Sequence, residues 1–156
     1  MLRKIADRKK RADTGRKEGQ VNSAGNFPSE SIFPTVGQNL DFIADYFGKG
    51  IGLMMRKFNI AGGCICVGIA YIESITNIDM VTESIIKPLL ESNIDSNTGP
   101  DEVQRLVLAQ YISLAALSAS NRMEKIINGL LSGSAIIFFE GAANAIIAGN
   151  SKLEKR

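Results

Sequence analysis

Apolar and polar positions divide the chain into a silent beginning and a strongly patterned body. Up to residue 34 no period of 2 or 3.6 is sustained, and Gly15, Gly19, Gly25, Pro28 and Pro34 interrupt a mostly polar stretch. This reads as an arm or linker, with the folded body starting near Thr35. Thr35 and Gln38 have capping-box spacing. Leu40, Ile43, Ala44 and Phe47 follow at offsets 0, 3, 4 and 7, the signature of one helical face, so a helix is predicted over 36–47 with Gly48 closing it. Phe42 and Tyr46 lie off that face and call for a second contact. Residues 51–60 read as a strand, Ala61, Gly62 and Gly63 as a turn, and 64–72 as a strand apolar on both faces, which belongs inside a sheet.

Ile78, Val81, Ile85, Ile86, Leu89 and Leu90 return at helical spacing after Asn77, a good N-cap. Pro88 conflicts with that helix, because an interior proline lacks the N–H and clashes with the preceding turn. A polar loop runs from 91 to 100. Over 101–114 the pattern is ambiguous: Val103, Leu106, Val107 and Ala109 suit a short helix, and Tyr111, Ile112 and Leu114 suit a strand. Met123, Ile126, Ile127, Leu130 and Leu131 form the clearest helical stripe, with Asn121 and Glu124 at cap-box spacing and Gly133 where a closing glycine belongs. Strands over 134–139 and 144–148 flank a turn at 140–143. The predicted order is α-β-β-α-(α/β)-α-β-β, an α/β fold of α+β type, with a mixed sheet of about four to five strands and flanking helices. The domain covers 35–150, and 151–156 form a charged exit.

A length of 156 residues suits one domain with a substantial core, and 45% hydrophobic against 22% charged residues is an ordinary globular balance. The net charge of +2 conceals an asymmetry. Residues 1–20 hold eight basic and three acidic side chains, +5, leaving the rest at −3. Lys9, Lys10 and Arg11 head the basic cluster and are candidates for contact with an anionic membrane surface; a solvated tail is the plain alternative. The longest apolar run, 60–72, falls short of the roughly 20 residues of a membrane span.

Little in the chain points to catalysis. There is no histidine, which closes the hydrolase-triad and histidine–zinc routes. Cys64 and Cys66 read as small core hydrophobes on one strand face, not as a disulfide or metal pair. Asp41 and Asp45 sit on the polar side of the first helix. Glu73 and Asp79 suit a helix N-terminus, and Glu140 an exposed hairpin turn. Gly48, Gly50 and Gly52 follow a helix and precede a strand, the reverse of a phosphate-binding loop. An acidic body without tryptophan gives no specific nucleic-acid surface. No enzyme activity, cofactor or metal site is expected. Arg56 and Lys57 are the candidate interaction residues: an arginine on an apolar strand needs a partner, either a neighbouring subunit or a carboxylate of the same domain.

Four stretches resemble a known family. They are 47–58 (Phe-Gly-Lys-Gly-Ile-Gly-Leu-Met-Met-Arg-Lys-Phe), 68–77 (Gly-Ile-Ala-Tyr-Ile-Glu-Ser-Ile-Thr-Asn), 85–90 (Ile-Ile-Lys-Pro-Leu-Leu), and 126–141, whose helix–glycine–strand–glycine order is the most specific. Together they are similar to the first N-terminal subdomain of the A subunits of GerA-type spore germinant receptors. The resemblance covers about 35–156. It implies a non-catalytic cytoplasmic domain at the spore inner membrane, followed by a second subdomain and transmembrane helices. It also implies B-type and C-type receptor subunits as partners in assembly and signal transduction. Binding of a small germinant, an amino acid or sugar, is the alternative role.

Overall fold

The computed structural model describes residues 31–112 and 116–149. Helix α1 (Val36–Phe47) starts and stops as its sequence dictates. The Thr35 hydroxyl accepts from the Gln38 N–H at 3.2 Å and donates to the Gln38 side chain at 2.9 Å. At the other end Gly48, at φ +68°, turns its N–H back to the Ala44 carbonyl. Strands β1 (Leu53–Ile60) and β2 (Ile65–Ile72) form the expected hairpin. A turn with Ala61, Gly62 and Gly63 at positive φ joins them. Cys64 falls in that turn and is exposed, while Cys66 enters β2 half-buried. The two are therefore not a buried pair, because the hairpin needs four residues between Ile60 and Ile65 and takes Cys64 as one of them.

Helix α2 opens on Asn77, whose side chain accepts from the Met80 N–H at 3.1 Å. It resolves the conflict at Pro88. Met80–Ile86 is π-helical, and Lys87 donates to Thr82, five residues back. The last turn, Lys87–Leu90, is α-helical and contains the proline. Pro88 still lacks the N–H of an interior helical residue, and the helix leaves the regular α ladder in the π stretch just before it, a common way for a helix to accommodate such an interruption. A π turn also carries more residues than an α turn, so the phase of the apolar stripe slips. Val81, Ile85, Ile86 and Leu89 are buried, but Ile78 and Leu90 are exposed, against the periodicity. The ambiguous region forms α3, α-helical over Pro100–Leu106 and π-helical over Val107–Tyr111.

Strand β3 (Leu117–Ser120) has no apolar alternation to announce it; it forms by pairing with β5. Helix α4 (Met123–Leu131) carries its stripe inward except for the exposed Leu131. Its start differs from the cap-box reading. The Asn121 side chain makes no capping bond; its carbonyl accepts from Ile32, and the Ser120 hydroxyl accepts from the Arg122 N–H at 3.0 Å. Strands β4 (Ala135–Phe139) and β5 (Ala145–Ala148) follow.

The sheet runs β1-β2-β4-β5-β3, and all of its pairings are antiparallel, none parallel. It is the middle of three layers. Ile65, Val67, Ile69 and Tyr71 of β2, with Ile137 and Phe139 of β4, pack against α2 and α3. Ala70 and Ile72, with Ile136 and Phe138, pack against α1 and α4. This double coverage explains the unbroken apolar runs of β2 and β4. Gly68 lets α1 approach: a Cβ there would stand 2.4 Å from Val36 Cγ1 and 3.2 Å from Leu40 Cδ1.

Candidate functional site

The turn between β4 and β5 organises the end of the domain where α1 begins. Glu140, far from exposed in isolation, is half-buried and accepts the Val36 N–H of α1 at 2.9 Å. The Gly141 N–H donates to Pro34 C=O at 2.8 Å, and the Glu140 N–H donates to Cys66 C=O at 2.9 Å. On the opposite face Gln104 of α3 donates to Asn144 C=O at 2.7 Å, and the Asp101 carboxylate accepts from the Ala143 N–H. One five-residue turn thus holds helices of both outer layers. Asn39, buried to 3% exposure, completes the clamp on α1. Its side chain accepts from the Phe33 N–H at 2.7 Å and donates to the Phe33 carbonyl at 3.0 Å. Phe33 in turn packs on Phe42 at 5.8 Å between ring centres, the second contact that Phe42 required.

The same polar corner tunes Cys66. Burial pushes its thiol above the ordinary cysteine value, the Glu140 charge pushes it further, and Lys57 opposes both. A thiol held protonated is a poor nucleophile.

The largest contrast with the packed interior is β1. It stands at one edge of the sheet, paired with β2 alone among the described residues. Met54 and Met55 are 40% and 38% exposed, and Arg56, Lys57 and Asn59 are exposed beside them. By register, Met54 and Arg56 face the α2 side, opposite Tyr71 and Ile69; Met55 and Lys57 face the α1 side, opposite Ala70 and Gly68. Neither Arg56 nor Lys57 joins an ion pair among the described residues, so the carboxylate of the same domain is not found there. A shallow groove of about 330 Å³ runs between α1 and β1, lined by Gly37, Leu40, Asp41, Met55, Arg56 and Lys57. Tyr46, at the exposed end of α1, stacks on Phe42 and meets Phe47 edge-on. The structure therefore brings the two predicted interaction residues together with two exposed methionines that the sequence did not single out. Exposed methionines on a strand edge are the signal that could have found them.

Lys9, Lys10 and Arg11 lie outside the described residues. Asp41, Asp45, Glu73 and Asp79 are exposed. Among the described residues no three metal-binding side chains gather, and no helix is long and apolar enough to cross a membrane.

Three comparisons bear on this arrangement. Residues 41–156 match the family model described as Bacillus/Clostridium GerA spore germination protein. The spore germination protein GerLA of Bacillus cereus is 25% identical over 114 residues, 73% of this chain and 23% of that protein. The spore germination protein KA of Bacillus subtilis (strain 168) is 24% identical over 126 residues, 80% of this chain and again 23% of that protein. This chain thus spans about a quarter of the length of these relatives. The crystal structure of the N-terminal domain of the A subunit of the Bacillus megaterium spore germinant receptor GerK3 has the same fold. It superposes with a TM-score of 0.69 at 17% identity, covering 79% of this chain and 49% of that one. With the family model matching most of its length, the chain belongs to the Bacillus/Clostridium GerA spore germination protein family.

Proposed function

We propose that this chain forms part of the non-catalytic N-terminal region of an A-type germinant receptor subunit. In this reading it holds B-type and C-type subunits in the receptor and passes on the germination signal, from the cytoplasmic side of the spore inner membrane. Membership of the germination family supports the setting. The observation that carries the reading is the β1 edge, where Met54 and Met55 are exposed beside two cations without ion-pair partners among the described residues. Surface side chains of this kind are what a protein interface desolvates.

The test is charge reversal at Arg56 and Lys57 together, to glutamate, in the full-length A subunit of the spore-forming host. The expected result is loss of B-type and C-type subunits from affinity-purified receptor and slowed germination, with the A subunit still present at normal level. Full recovery of both partners and normal germination would overturn the reading.

The basic arm adds a membrane contact through Lys9, Lys10 and Arg11, worth about 1 kcal/mol per basic residue near an anionic surface. The chain should sediment with anionic vesicles at low salt and be released at high salt. Sedimentation indifferent to salt would refute this part.

A further inference from the structure

The hydrogen bonding of β1 goes further than its exposure. The Glu73 N–H donates to Gly52 C=O at 2.9 Å, which continues the Leu53↔Ile72 register by one step. In an antiparallel pair, residues alternate between those that exchange both bonds with the neighbour and those whose N–H and C=O point away. Gly52 sets the phase. Met54, Arg56, Phe58 and Ile60 bond to β2, and Leu53, Met55, Lys57 and Asn59 turn their backbone groups to the open edge. An eight-residue strand with four N–H/C=O sets unpaired among the described residues is a template for one more strand.

The side chains say what that strand must be. A strand added antiparallel places its residues opposite Lys57, Arg56, Met55 and Met54 in turn. Like charges directly opposite are destabilising and opposite charges stabilising. A second copy of β1 paired antiparallel across the open edge and centred on Arg56, or on Lys57, sets that cation directly opposite its own copy. The chain's own N-terminal arm, +5 over residues 1–20, is also mismatched. We infer that the open edge of β1 accepts an extended segment of a partner protein carrying two adjacent acidic residues followed by two adjacent apolar ones. The pleat divides each pair between the two faces: one acid meets Arg56 on the α2 side, the other meets Lys57 on the α1 side, and the apolar residues cover Met54 and Met55. This deepens the assembly reading and rests on it, by naming how a partner subunit would attach.

The experiment uses the whole chain and a synthetic probe, the octapeptide Thr-Thr-Glu-Glu-Val-Val-Thr-Thr, with a control in which both glutamates are lysines. Amide hydrogen exchange is read residue by residue. At free peptide four times its Kd, the Met55, Lys57 and Asn59 amides should slow about fivefold. The Met54, Arg56 and Phe58 amides, already bonded to β2, should not change. The control peptide should do nothing. Met55→Pro removes an outward amide without touching a β1–β2 bond, so it should abolish the effect while leaving the circular dichroism spectrum intact.

No slowing at millimolar peptide, or equal slowing by both peptides, overturns the proposal. So does protection that appears without peptide and grows with protein concentration, which would mean a second copy. Protection present from the start and lost on deleting residues 1–30 would assign the edge to the chain's own arm, and likewise overturns it. Each failure concerns the mode of attachment; the charge-reversal test in spores addresses assembly separately.

Discussion

Replacing Gly68 by alanine tests whether the contact between α1 and the sheet is as close as described. The new Cβ would lie 2.4 Å from Val36 Cγ1 and 3.2 Å from Leu40 Cδ1. Carbon atoms in good contact are about 3.5–4.0 Å apart, so Val36 is more than about 1 Å too near. It has little freedom to move away. A helical valine has one strongly preferred rotamer, and the Val36 amide is tied to Glu140 at 2.9 Å. Overpacking of this kind costs about 1–3 kcal/mol. The change of glycine to alanine in a strand returns about 0.5–1 kcal/mol through the unfolded chain, so a net loss of about 1–2 kcal/mol is expected. Urea unfolding followed by circular dichroism reads it as a lower midpoint at unchanged slope. Trimming Val36 to alanine should cost stability alone but relieve Gly68→Ala, giving a coupling of about 1 kcal/mol or more. Gly37, one residue further along α1, has nothing within 4 Å of a Cβ, so Gly37→Ala should stabilise by about 0.5–1 kcal/mol. A Gly68→Ala protein as stable as the parent, or strictly additive losses in the double variant, would mean that Val36 does not press on the sheet at Gly68.

Asn39→Ala leaves the Phe33 N–H and C=O without their partner and should cost about 2–3 kcal/mol in the same urea assay. Glu140→Ala strips the Val36 N–H of its acceptor and should cost about 1–2 kcal/mol, in the range of a lost helix cap. Cys66 should react with a thiol reagent more slowly than the exposed Cys64 at neutral pH, because burial and Glu140 favour its protonated form. Glu140→Gln removes an upward push, so the pH at which Cys66 labelling reaches half its maximum should fall; Lys57→Ala removes the opposing charge, and it should rise. The same sign governs stability: a thiol whose folded pKa is raised resists ionisation only in the folded state, so its ionisation lowers stability as pH climbs past the unfolded thiol value.

What could be read in the sequence was whatever short-range pattern decides. The first helix, its Thr35 cap and Gly48 stop, the first hairpin and the last helix with Gly133 all depend on residues within a turn or two of each other. The two-sided strands β2 and β4 announced a covered sheet. Long-range pairing was illegible. Leu117–Ser120 carries one large apolar residue and becomes a strand only because β5 offers an edge. Glu140 and Val36 stand 104 residues apart, so no local rule could turn an apparent surface carboxylate into a helix clamp. The π stretches of α2 and α3 defeated a fixed 100° period, which placed Ile78 and Leu90 inside when they are exposed. Arg56 and Lys57 were legible as residues that lack a natural home on a strand; the open edge that gives them one depends on sheet order.

The turn after β4 also limits how this unit can be handled by genetics. Its bonds to Pro34, Val36, Cys66, Asp101 and Gln104 close the chain on itself, early residues against late ones and both outer layers against one hinge point. A truncation that removes either side of the clasp exposes the other. Recombination within 31–149 should yield insoluble fragments, because β5 and the Phe33 clamp lie inside that span, whereas exchange of the entire block between members of the family should carry its closure along. Chimeras of family members built on those boundaries, and not on helix ends, are the ones in which a donor domain can be compared fairly with its host.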